Sequence, residues 1–165
     1  MHNATLRLPV PHCLVLVLIA LFGLSACTAD PDAPEARVRA VLTQTEAAVE
    51  ARDLGALKAL FSDSYRDEGG RSKKQASDLA GIYFMRNRSI HLVTRVDSLS
   101  FDADSTEARA SVLVAMAGRA MDKTDMRALA RAAIYRFNVA VAYEGEDTWK
   151  ITRARWQRAE SKAFF

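Results

Sequence analysis

Cysteine is almost missing from this 165-residue chain: Cys13 and Cys27 are the two copies, and none follows. Beyond Cys27 there is no thiol for a disulfide, a thiolate metal site or nucleophilic catalysis. Histidine is equally scarce, with three copies of which only His91 lies past residue 12. That argues against a multi-histidine metal centre, so neither a metal nor a cofactor is expected. Gly69-Gly70 is not followed by the Lys-Thr of a phosphate-binding loop, and no dinucleotide fingerprint occurs. An excess of one charge is also lacking, with 23 Lys and Arg against 20 Asp and Glu. Nucleic acid is therefore not an expected partner.

The apolar run from Leu14 to Leu24 spans 11 residues, short of the about 20 a membrane-crossing helix requires. Arg7 precedes it and the small residues Ser25 and Ala26 follow, the layout of a secretory signal peptide over 1–26. Leu24-Ser25-Ala26-Cys27 resembles the lipobox of bacterial lipoproteins. That resemblance implies cleavage before Cys27 and acylation of its thiol and new amine, which holds a protein at a membrane because each buried methylene adds about 0.8 kcal/mol. Cleavage after Ala26 with Cys27 left free is the alternative. Thr28, in place of the Asp that retains many such proteins at the inner membrane, implies the outer membrane, with the domain in the periplasm.

Removing residues 1–26 of 165 leaves 139, enough for one domain with one core. Residues 27–33 read as a lipidated cysteine and a polar, proline-punctuated tether. From Pro34, the spacing of Val38, Val41, Leu42, Thr45 and Val49 predicts a helix to about Arg52, with Arg37, Glu46 and Glu50 on its other side. Asp53 caps a predicted second helix over Leu54–Phe61, ended by Ser62-Asp63-Ser64. Ser72 and Gln75 form a capping-box pattern before a third helix that ends near Arg86.

The period then changes to two. Ile90, Leu92, Thr94 and Val96 begin a strand, a turn falls at Asp102-Ala103-Asp104-Ser105, and Ala108 to Met116 and Tyr135 to Tyr143 give two more. Gly145-Glu146-Asp147 turns the chain into Trp149 and Ile151. Segment 118–131 is compatible with a short helix over Arg127 to Arg131 or with a long hairpin tip, and reads as loop. Steps of three, from Val96 to Leu99 and from Ile151 to Ala154 and Trp156, predict bulges that curve the sheet; otherwise Leu99 and Trp156 face its other side.

Ala51-Arg52-Asp53-Leu54-Gly55-Ala56-Leu57, the following Leu60-Phe61-Ser62-Asp63, and the closing Trp149-Lys150-Ile151 and Ala154-Arg155-Trp156 carry a resemblance. In this order they look like the nuclear transport factor 2-like superfamily, which includes ketosteroid isomerase and SnoaL-like proteins. It covers roughly Glu35 to Glu160 and implies an α+β, cone-shaped domain over 34–165: three N-terminal helices packed on a strongly curved antiparallel sheet. Carried over to this chain, the isomerase base falls near Asp67, but its oxyanion tyrosine falls at Thr45 and its oxyanion aspartate near Val139. Without two such donors, each worth about 2.7–4 kcal/mol, ketosteroid isomerase chemistry is not expected.

Asp67, Tyr65 and Tyr83 remain the candidate catalytic groups, and Tyr65, Asp67, Tyr83 and Trp156 the candidate pocket groups; core packing is the other reading of the aromatics, and a solvated loop that of Asp67. By parity His91 lies on the convex face. That face also carries Ser111, Leu113, Ala115, Ala140 and Ala142 beside Arg109, Arg136, Lys150 and Arg155. A second copy packing there as a homodimer is expected, with acidic lipid or glycan groups as the alternative. The sequence thus reads as a lipid-anchored module that binds a small hydrophobic ligand or serves assembly, the alternative being an isomerase, lyase or hydrolase with Asp67 as base.

Overall fold

Pro34 opens α1 (Pro34–Glu50) in the computed structural model, which describes residues 30, 32–121 and 124–164. Its missing N–H costs nothing at a first helical position. The expected signal peptide, Cys27 and most of the tether lie outside the described residues. α1 ends two residues before the sequence expectation, because Arg52 adopts a φ of 56° and turns the chain. Asp53 then caps α2 (Leu54–Ala59), its side chain accepting from the Ala56 N–H at 2.9 Å. Among the described residues, no helix is long and apolar enough to cross a membrane.

Phe61 was expected to extend this helix and Ser62-Asp63-Ser64 to end it. Instead Phe61–Asp67 is a strand, β1. The polar triplet tolerates this because Ser62 is buried with its hydroxyl 2.8 Å from that of Ser64. α3 (Lys73–Arg86) follows, with both halves of the Ser72–Gln75 capping box formed. After it come β2 (His91–Phe101), β3 (Glu107–Ala117), a short helix α4 (Met126–Arg131), β4 (Ala133–Tyr143), β5 (Trp149–Arg158) and a 3-10 turn at Ser161–Phe164. The segment read as loop therefore contains α4, capped by Asp125, whose side chain accepts from the Ala128 N–H at 2.8 Å.

The five strands form one sheet in the order β1-β5-β4-β3-β2. It is mixed, not antiparallel as expected, since β1 runs parallel to β5. Both predicted bulges are present: Asp97 is skipped between the Val96–Val112 and Ser98–Ser111 pairs, and Thr152 between Ile151–Val141 and Arg153–Ala140. Each keeps the apolar side inward, so Leu99, Ala154 and Trp156 all pack on the core under α1 with Val38, Val41, Val141 and Ile151. α2 and the C-terminal halves of α1 and α3 enclose a second cluster of Ala48, Leu57, Phe84 and Ile90. The other side of the sheet holds a third, where α4 and the 3-10 turn cover Val93, Leu113, Ala115 and Ile134.

Candidate functional site

β1 ends in Asp67, and the Gly69-Gly70 turn brings the chain back onto it. Gly70 has a φ of 75°, in the region that glycine adopts without penalty. The Asp67 side chain is fully buried and accepts from Arg71 twice, from Nε at 2.6 Å and from the backbone N–H at 2.9 Å. Burial alone would raise its pKa; the hydrogen bonds and charge of Arg71, with a further bond from the Gly69 backbone, outweigh that and hold it below the ordinary carboxylate value. Asp67 is thus not a solvated loop acid. Its oxygens are engaged by a permanently charged partner, which leaves it a weak proton acceptor.

Tyr65 lies two residues earlier on β1, 2% exposed, with its ring stacked on Phe61 at 4.6 Å. Burial, reinforced by the Asp67 charge, pushes its hydroxyl up to about 12. Tyr65 is a core residue and lines neither hollow described below. Tyr83 is 40% exposed at the end of α3. With Trp156, Tyr135, Phe137 and Asn87 it lines a hollow of about 290 Å³, where burial and then Tyr135 raise its pKa. Of the four pocket candidates the structure joins Tyr83 and Trp156 in one hollow. Asp67 reaches them only indirectly, through Arg71, whose guanidinium stands 5.4 Å from the Trp156 ring centre.

A second cavity of about 340 Å³ lies between α1 and the sheet. Leu42 and Val49 of α1 face Val96, Val112, Val114, Val139 and Ile151, and Phe137 and Met116 also wall the first hollow. Thr45 and Val139, the positions to which the resemblance carries the oxyanion donors, both line this cavity. The Thr45 hydroxyl donates to its own helix, to the Val41 carbonyl at 2.8 Å. Where an isomerase would hold an enolate, this chain presents an aliphatic wall.

The cavity also has a carboxylate that sequence periodicity had put on the far side of α1. Glu46 lines it and accepts from the Thr94 hydroxyl at 2.7 Å, while Glu50, one turn on, accepts from the Leu92 N–H at 2.7 Å. Both reach across to the edge strand β2, which has no strand neighbour on that side. No helical wheel reveals this, because it depends on where the edge of the sheet falls.

On the opposite face of the sheet, His91 shares its side with Val93, and its Nε2 lies 2.9 Å from the Ser89 hydroxyl. Among the described residues no group of three or more His, Cys, Asp or Glu is placed to hold a metal ion. Leu113 and Ala115, expected as open apolar surface there, are fully buried beneath α4 and the 3-10 turn.

No family model matches the chain, and no curated protein matches it in sequence. Solved structures match it in fold. The hexachlorocyclohexane dehydrochlorinase LinA-type3 of Novosphingobium barchaimii gives a TM-score of 0.60 at 14% identity, over 79% of this chain and 90% of that one. An NTF2-like protein of unknown function from Pseudomonas putida gives 0.55 at 18% identity, over 76% and 86%. The Bd1075 protein of Bdellovibrio bacteriovorus gives 0.57 at 11% identity; the match covers 74% of this chain and spans only 40% of that protein. At such identities the likeness establishes an α+β, nuclear transport factor 2-like fold and leaves the activity to the residues.

Proposed function

We propose that this chain is a lipoprotein held at the bacterial outer membrane through Cys27, whose nuclear transport factor 2-like domain binds a small hydrophobic molecule in the periplasm without transforming it. The observation that carries the binding role is the cavity between α1 and the sheet, whose walls are chiefly aliphatic and whose volume of about 340 Å³ fits a small ligand. Glu46 and Thr94 give that cavity one polar edge, enough to orient a hydroxyl or amine. A non-catalytic role rests on Asp67, which Arg71 holds as a stable carboxylate. The anchor rests on the Leu-Ser-Ala-Cys sequence alone.

The anchor and the ligand have separate tests. Cys27→Ser is expected to release the protein from the membrane fraction or block its processing; unchanged membrane retention would remove the lipid from the proposal. For the ligand, full-length protein in lipid nanodiscs is compared with a Val139→Trp variant that fills the cavity. Mass spectrometry should find a small apolar molecule carried by the first and not by the second. Turnover of such a molecule that is abolished by Asp67→Asn would instead establish the isomerase, lyase or hydrolase reading.

A further inference from the structure

The pairing register lines up side chains on the outer face of the sheet, the face away from α1, in two rows. Arg66, Arg153, Ala140, Arg109 and Ser100 are successive cross-strand partners from β1 to β2. Arg155, Asn138, Ser111 and Ser98 form the next row. Together the rows floor a groove of about 910 Å³ that α4 and the 3-10 turn leave open. Ala140 separates Arg153 from Arg109 by two inter-strand steps of about 4.8 Å, so an arginine flanks this small residue on each side.

The arginines are incompletely neutralised. Arg109 pairs with Glu107 at 3.3 Å and Arg155 with Glu68 at 3.1 Å, all four side chains well exposed. Arg66 donates to the carbonyl of Tyr65, and Arg153 has no acidic partner among the described residues. Arg66 and Arg153 are register partners on the neighbouring parallel strands β1 and β5, which puts two like charges side by side on this face.

We propose that this groove binds a carboxylate-bearing oligosaccharide. Arginine forks match carboxylates in two-point geometry. Between them, the hydroxyls of Ser98, Ser100 and Ser111 and the amide of Asn138 both donate and accept, as sugar hydroxyls do. A phosphate surface offers acceptors only, and the groove's apolar lining is confined to Ala110, Val139, Ala140 and Ala142, with no aromatic ring to enter a bilayer. A second copy packed about a two-fold axis through the centre of the groove would bring its arginines together with their like-charged counterparts. The volume exceeds what a single inorganic ion occupies and accommodates several sugar rings. This site is independent of the apolar cavity, and it stands or falls separately.

The test titrates the full chain, in nanodiscs of zwitterionic lipid, with tetragalacturonate, neutral maltotetraose and tripolyphosphate. Tetragalacturonate should bind in a salt-sensitive way and maltotetraose should not. Arg153→Ala, an exposed site, should weaken that binding by about tenfold or more, the effect of losing one charge-assisted bond. Asn138→Ala should weaken tetragalacturonate and leave tripolyphosphate unchanged; thermal melts confirm that both variants are folded. Equal binding of maltotetraose, equal or tighter binding of tripolyphosphate, or indifference to Arg153→Ala would overturn the proposal. So would a dimer in sedimentation that Arg153→Glu dissociates.

Discussion

The Arg71 Nε sits 2.6 Å from Oδ2 of Asp67, a side chain wholly out of solvent, while the same guanidinium lies against the Trp156 ring. One cation therefore neutralises a buried acid at the end of β1 and ties it to β5. Arg71→Met keeps the stem and removes the charge, leaving the carboxylate without its partner. Breaking a fully buried pair costs about 3–5 kcal/mol, but Arg71 is 40% exposed and water screens it, so roughly 2–3 kcal/mol is expected. Because the Asp67 pKa is lowered on folding, its stabilisation is present above the unfolded value of about 3.9 and is lost as pH falls through the folded one. Urea midpoints should show a gap between wild type and variant that is wide at pH 7 and narrows in acid. A gap independent of pH would refute the assignment.

Tyr65 gives the opposite limb. Its pKa is raised on folding to about 12, so the folded protein keeps a proton that the unfolded chain releases near 10. The stabilisation is full below pH 10 and is lost as pH rises towards 12, at a slope approaching about 1.4 kcal/mol per pH unit. Tyr65→Phe retains the stack on Phe61 and should flatten this decline. Chemical denaturation at several alkaline pH values measures it; identical slopes in the two proteins would exclude Tyr65 as the source.

These two residues also show where sequence reading reached its limit. Helical and strand periods located α1, α3 and the four long strands, because each presents a regular apolar stripe to one core. β1 had no such stripe: Ser62 is buried and Ser64 exposed, and a register shift between Phe61 and Arg66 breaks the alternation. Its order comes from distant partners on β5: Phe61 pairs with Ile151, Arg66 with Arg153 and Asp67 with Ala154, and just ahead of the strand the Leu60 carbonyl accepts from the Ile151 N–H at 2.9 Å. Asp67 was singled out by carrying over a resemblance, yet its burial follows from a turn that lets Arg71 fold back, which spacing alone does not encode. Thr45 and Val139, the positions to which the resemblance carries the oxyanion donors, share one cavity wall, which their spacing in sequence does not show.

α4 is six residues long, too short for its period to separate a helix over Arg127 to Arg131 from a hairpin tip, and its value lies in what it covers. Leu129 is 1% exposed and packs in one cluster with Leu113, Ala115 and Ile134. Leu129→Ala should destabilise the protein by about 2–5 kcal/mol, the cost of a large-to-small change in a closed core. It should also expose part of the apolar patch that α4 shields, read as increased binding of a hydrophobic dye before the main unfolding transition. A change below about 0.5 kcal/mol, typical of surface positions, would show that α4 is dispensable cover.

Glu50 provides the last test, at the edge of the sheet. β2 has a strand partner on one side only, and an open edge invites pairing with another chain. Glu50 of α1 takes the outward Leu92 N–H at 2.7 Å, and Glu46 holds Thr94 two residues further on. A hydrogen bond to a charged group contributes about 1.5–3 kcal/mol, less at an exposed site, so Glu50→Ala should cost about 1 kcal/mol. Its sharper signature is local: amide exchange should accelerate at Leu92 while the amides of β4, buried in the middle of the sheet, slow or quicken only with global stability. Glu50→Gln, which can still accept, should restore most of the protection. If Leu92 exchanges at the same rate in wild type and alanine variant, Glu50 does not guard this edge.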